Sequence, residues 1–338
     1  MSQPYFSDFR DKVVVVTGAT AGVGRAITQH FARKGAKLGL LARGADGLDA
    51  TQQEVERLGG QALAVQTDVA EADQVETAAA QIEEELGEID IWVNNAMTSV
   101  FGEFTEIEPE EYQRVTDVCY HGSVWGTRAA LKRMVPRDRG RLIFVGSALA
   151  YRGIPLQSAY CGAKHAMQGM FDSIRAELLH NDSNVTVSMV QLPAVNTPQF
   201  RWVRSKLPNK AQPVPPIYQP EIMADAIAHA ARTGRREIFV GYPAYQVIWG
   251  NKLAPWAGDW YLALTGYEGQ QMEGEPKDED AQDNLFEPVP GDQGAHGAFD
   301  DRATDRSLML WATKNRGLLA AAGAGLAGLV GACLAASD

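Results

Sequence analysis

The chain has 338 residues and 45% hydrophobic content, enough for one large core and an appendage. Its 42 acidic against 31 basic residues leave a net charge of −11, which argues against nucleic-acid partners, since these demand basic patches. Three cysteines, Cys119, Cys161 and Cys333, stand far apart with neither metal-ligand nor disulfide spacing, so no metal and a reducing compartment are expected.

Residues 1–10 carry no apolar core of signal-peptide length, and a cytoplasmic catalytic domain is expected. Residues 13–16, four valines, read as a buried strand; the turn Thr17-Gly18-Ala19-Thr20-Ala21-Gly22-Val23-Gly24 and an amphipathic run from Arg25 follow. Glycines in such a turn allow close backbone approach to a pyrophosphate, and the helix start favours its charge. The next strand, 37–43, ends in Ala42-Arg43. A site for NAD puts an acid there to hold the ribose 2′-hydroxyl, whereas a guanidinium suits a 2′-phosphate, so NADP(H) is expected and NAD less so.

Strand-like runs then end one after another in polar groups. Residues 62–66 lead to Asp68-Val69, 89–93 to Asn94-Asn95-Ala96, 141–145 to Ser147 and 185–190 to Pro193. Each group stands just past a strand's C-terminal end, where open α/β sheets bind ligands. Helical runs between them, and a last strand at 237–240 after a helix begun by Pro220, predict an α/β fold with a doubly wound parallel sheet, a Rossmann fold.

A helix over 158–180 puts Tyr160 and Lys164 four apart on one face, about 6 Å from each other. A lysine cation there is expected to lower the phenol's pKa towards the range of a general acid/base, while Ser147 holds a substrate oxygen. In Thr17-Gly18-x-x-x-Gly22-x-Gly24, Asp68, Asn94-Asn95-Ala96, Ser147, Tyr160-x-x-x-Lys164 and 193–197, taken in order, the chain resembles the short-chain dehydrogenase/reductase family over residues 10–245. The resemblance implies catalysis by Ser147, Tyr160 and Lys164. It implies cofactor contacts from Gly18, Thr20, Gly22, Val23, Gly24, Arg43, Asp68, Val69, Asn94, Ala96, Lys164, Pro193, Val195 and Thr197. The activity implied is an alcohol dehydrogenase or ketoreductase; an idle nucleotide-sensing protein and an epimerase or dehydratase remain alternatives.

Three positions depart from the family pattern. Cys119 stands where many members carry an asparagine that orders a relay water, and a thiol is a weak donor and acceptor. The relay is then rebuilt from another group, such as Thr116 or Tyr120, or runs more slowly. Met97 and Ala194 take the places of glycines and should narrow the nicotinamide pocket. The long connection 197–220 is expected to cover the substrate, with Phe200, Trp202 and Ile217 as an apolar lid and Met97, Leu149 and Tyr151 as a floor. A small hydrophobic substrate follows. His121, His165 and His229 are read as packing residues.

Beyond the predicted catalytic domain, residues 8–250, the character changes twice. Residues 251–306 comprise an aromatic segment, read as a cap or an interfacial surface, and an acidic linker. From 266 to 306, twelve acids stand against three bases, a pattern expected of solvated chain, with the apolar island 285–290 as a docking point. Residues 307–338 are read as a hydrophobic C-terminal helix, in which 317–336 holds no charge and is long enough for a bilayer core. Lys314 and Arg316 flank it, as for a membrane anchor with a cytoplasmic catalytic domain. A small-residue helix packed on the domain or on an oligomer partner is the other reading, and a homo-oligomer is expected.

Overall fold

Four consecutive valines can stand in one strand only if both faces are buried, and the structure divides them alternately between two cores. Val14 and Val16 face one hydrophobic cluster, Val13 and Val15 the other. The molecule is seen in a computed structural model that describes residues 8–321.

From the N-terminus run β1 (Val13–Thr17), α1 (Gly22–Ala32), β2 (Lys37–Ala42), α2 (Ala45–Arg57), β3 (Gln61–Gln66), α3 (Ala72–Leu86) and β4 (Ile89–Asn94). The short β5 (Val100–Phe101) precedes α4 (Pro109–Thr116), a π-helical turn at Asp117–His121 and α5 (Gly122–Met134). Next come β6 (Arg141–Ser147), α6 (Ser158–His180) and β7 (Thr186–Leu192). Short pieces follow: β8 (Ala194–Val195), α7 (Gln199–Trp202), β9 (Arg204–Ser205), β10 (Asn209–Ala211) and β11 (Ile217–Tyr218). Then come α8 (Pro220–Thr233), β12 (Glu237–Phe239), α9 (Tyr242–Leu253), α10 (Pro255–Thr265), β13 (Gln271–Pro276), β14 (Ala303–Thr304) and α11 (Leu308–Lys314).

Seven parallel strands form the central sheet in the order β12-β7-β6-β4-β1-β2-β3. The order reverses beside β1, so the cleft at the carboxyl ends of β1 and β4 is the switch point of a doubly wound fold. Residues of α1 and α8 fill the core on one face; those of α3, α5 and α6 fill it on the other. Between α4 and α5 the π turn carries Cys119, a local widening of an otherwise continuous helical run.

The acidic segment is not the solvated chain expected from its charge. β13 pairs antiparallel with β10, and β14 pairs with β11, so the segment is tied into the 197–220 connection. Leu285 is fully buried, with Ala295 and Phe299 nearly so. Composition misleads here because the bases that receive these acids lie on the domain: Arg204 takes Asp283 and Arg25 takes Asp292. Lys314, expected beside a membrane, instead pairs with Asp225 of α8 at 2.7 Å, and Leu310 of α11 is buried. Residues 322–338, most of the predicted anchor together with Cys333, lie outside the described residues. Among the described residues no helix is long and apolar enough to cross a membrane.

Candidate active site

The turn after β1 is shaped by its glycines. Gly18 and Gly22 adopt φ of +63° and +55°, and a side chain on Gly24 would overlap the Gly18 carbonyl. No side chain caps the start of α1; its Gly22 N–H donates to the main-chain carbonyl of Gly294 at 3.0 Å. Asn95 braces the turn from β4, its Nδ2 donating to the Thr17 carbonyl at 2.9 Å and to that of Gly18 at 3.1 Å. Asn94, the expected contact, is aimed elsewhere. It accepts from Trp92 Nε1 and donates to Thr127 Oγ1, tying β4 to α5, and does not line the cleft. Strand alternation decides between the two neighbours, and the motif alone does not show which faces which side.

Ser147 ends β6 and Tyr160 enters from the first turn of α6. The serine hydroxyl accepts from the Leu149 N–H at 3.1 Å and acts on the Tyr160 phenol, whose pKa it draws down. Lys164 lies one turn along α6, its Nζ 5.5 Å from the Tyr160 ring centroid and 2.8 Å from the Val145 carbonyl, to which it donates. The expected lowering of the phenol's pKa is not found in the protein alone. Burial raises the Tyr160 pKa, the Cys119 thiol adds to that, and the Ser147 hydrogen bond opposes it. Burial likewise lowers the Lys164 pKa, and the Cys119 thiol opposes that shift.

Cys119 is buried, donates to the Thr98 carbonyl at 3.2 Å, and has its pKa raised by burial. Neither proposed substitute takes the relay place. Thr116 Oγ1 donates back to the Tyr112 carbonyl of its own helix, and Tyr120 packs on His121.

One cavity of about 1180 Å³ joins these groups. Gly18, Thr20, Gly22, Val23, Gly24, Arg43, Asp68, Val69 and Ala96 line it, and so do Ser147, Tyr160, Lys164, Pro193, Val195 and Thr197. Met97, Leu149, Phe200 and Trp202 line its walls as expected. Tyr151 and Ile217 do not: the Tyr151 hydroxyl is hydrogen-bonded to the Glu237 carboxylate, and Ile217 is buried in β11 between β8 and β14. None of His121, His165 and His229 lines the cavity.

Three groups of lining residues escape the sequence reading. Arg152 donates to Asn251 at 2.9 Å and pairs with Asp259 at 2.5 Å, which brings α9 and α10 over the cavity. Gly250, Ala254, Gly258 and Leu262 form that cap, and Trp249, Trp256 and Trp260 stay exposed. Asn284, Pro288, Val289, Gly291 and Gln293 roof the glycine-turn end. The aromatic segment read as a cap and the apolar island at 285–290 were the forewarning, without naming these residues.

A doubly wound sheet with a glycine turn at its switch point and a serine, tyrosine and lysine at the adjoining strand end defines a Rossmann-type oxidoreductase. The sequence pattern of the short chain dehydrogenases matches residues 12–208. The chain is 33% identical to an uncharacterised oxidoreductase, YxnA, of Bacillus subtilis (strain 168), over 94% of this chain and 89% of that protein. It is 31% identical to the 3-dehydrosphinganine reductase of Danio rerio over 69% and 72% of the two chains. Its fold is similar to that of an alcohol dehydrogenase from the archaeon Thermococcus sibiricus complexed with 5-hydroxy-NADP. That match has a TM-score of 0.59 and 26% identity, and covers 68% of this chain and 95% of the other. The chain belongs to the short-chain dehydrogenase family.

Proposed function

We propose that the protein is an NADP(H)-dependent alcohol dehydrogenase or ketoreductase acting on a hydrophobic substrate. The observation that carries the reading is that Ser147 and Tyr160, backed by Lys164, line one apolar cavity together with the glycine turn. A nicotinamide, when bound, gives or takes the hydride. Ser147 Oγ holds the substrate oxygen while Tyr160 gives it the phenol proton in reduction, or takes the hydroxyl proton in oxidation. Lys164, fixed by the Val145 carbonyl, keeps a positive charge beneath the phenol that favours the phenolate as it forms.

Arg43 at the end of β2 supports NADP(H) over NAD(H), because its side chain borders the cleft and no carboxylate occupies that position. Met97, Leu149, Phe200 and Trp202 support a lipophilic substrate, as does the reductase of Danio rerio among the relatives. Following nicotinamide absorbance over a panel of lipophilic ketones and alcohols tests the reading. Turnover with NADPH that exceeds turnover with NADH is the expected result, and absence of turnover with tight dinucleotide binding would overturn it.

A further inference from the structure

We propose that residues 283–294 are a latch that completes the dinucleotide site and must open for the cofactor to exchange. The inference rests on the dinucleotide reading above but concerns a segment beyond residue 208, where the family pattern stops matching.

The segment is fastened along the whole adenosine side of the cleft. Asp283 pairs with Arg204 at 2.8 Å, and the Leu285 carbonyl accepts from Arg114 Nε at 3.0 Å. Arg43, at the end of β2, donates to the carbonyls of Asn284 at 2.5 Å and Phe286 at 2.6 Å. Further on, the Gly291 N–H donates to Asp46 at 2.9 Å and the Gly294 carbonyl accepts from the Gly22 N–H at 3.0 Å. Asp292 meets Arg25 through both carboxylate oxygens, at 3.0 and 3.4 Å.

These attachments fall on the two features that would hold a dinucleotide. Gly22 and Arg25 belong to the glycine turn and the first turn of α1, where a pyrophosphate charge is favoured. Arg43 is the group assigned to a 2′-phosphate. A guanidinium offers five donors, so Arg43 can hold the latch and meet a phosphate at once. Between the fastenings, Pro288, Val289 and Gln293 line the same cavity as Gly18, Thr20 and Gly47. A nucleotide lying along the turn therefore has protein on both sides, and its exit crosses the strand of chain between Asn284 and Gly294.

Asp292 is the fastening most open to test, since its side chain is 47% exposed while Arg25 keeps Glu54 and Thr51 as partners without it. The dissociation rate of NADPH is read by stopped-flow fluorescence, chasing the bound nucleotide from the full-length protein. Asp292→Ala, and Asp46→Ala with Asp292→Ala, should raise that rate about tenfold, in line with loss of a charge-assisted hydrogen bond. The association rate should rise as well, because a gate slows both directions. Amide hydrogen exchange over 284–294, measured on wild type, should slow when NADPH is added. Unchanged dissociation and association rates in both variants, with NADPH still bound, would overturn the latch and leave the dinucleotide reading standing. No NADPH binding by wild type would overturn both.

Discussion

Lys164 donates to the main-chain carbonyl of Val145 at 2.8 Å, so the catalytic helix α6 is pinned to the strand β6 that carries Ser147. That bond explains how a fully desolvated ammonium is tolerated beside Tyr160. It also gives Lys164 a share in placing the serine and the tyrosine. Tyr160→Phe should therefore abolish turnover and leave cofactor affinity nearly intact, since only the hydroxyl is lost. Lys164→Ala should damage turnover, affinity and thermal stability together. Near-normal turnover by Tyr160→Phe, measured by nicotinamide absorbance, would refute the proton-transfer role.

Arg43 does two things at once, and cofactor preference separates them. Its bonds to the carbonyls of Asn284 and Phe286 hold the 283–294 segment whichever cofactor is present. Only NADP(H) brings a 2′-phosphate. Arg43→Ala should weaken NADPH relative to NADH by roughly 1.5–3 kcal/mol, the range of a charge-assisted hydrogen bond. An equal loss for the two cofactors in titration calorimetry would assign Arg43 to the segment alone.

Cys119 sits in the π turn with its thiol spent on the Thr98 carbonyl. An asparagine amide at that position has donors to replace this bond and an acceptor left for a water. Cys119→Asn is expected to raise the turnover rate or shift its pH profile. A large loss of activity in a folded variant would show that the site is packed around the thiol and that the family's water relay is not used.

The strands and the Ser147, Tyr160 and Lys164 cluster were legible because they are local: valine runs, glycine turns and a four-residue helical spacing carry their geometry in the chain itself. Asn94 against Asn95 was not legible, since which neighbour faces the cleft depends on how β4 meets α5. The 283–294 segment was misread for a different reason. Its charge was counted against its own length, whereas Arg25, Arg43, Arg114 and Arg204, the bases that hold it, lie up to 267 residues away.

Two histidines outside the site set an acid limit on stability. Burial lowers His30 and His229 from an ordinary 6.5 to about 4, and the cations Lys34 beside His30 and Lys314 beside both add to it. Asp225 opposes the shift at each. The unfolded chain thus binds these protons first, so the stabilisation is fully present above pH 6.5 and is lost as pH falls towards about 4. Melting temperature should drop across that window, and His30→Gln with His229→Gln should flatten the drop. An unaltered slope in the double variant would remove the histidines as its cause.

The last prediction concerns the chain after α11. Leu310 is buried, the Ser307 hydroxyl is bonded to the Val240 carbonyl, and Lys314 pairs with Asp225, so α11 belongs to the folded body. A truncation before Ser307 would strip these contacts and confuse anchoring with unfolding. Removing residues 322–338 spares them. The truncated protein should keep its melting temperature and NADPH affinity, because among the described residues none beyond Gln293 lines the cavity. If the uncharged run 317–336 anchors the protein, the full-length chain sediments with membranes and the truncated one does not. Recovery of the full-length chain in the soluble fraction without detergent, as a defined oligomer that the truncation converts to a smaller species, would instead make the run a helix packed between copies.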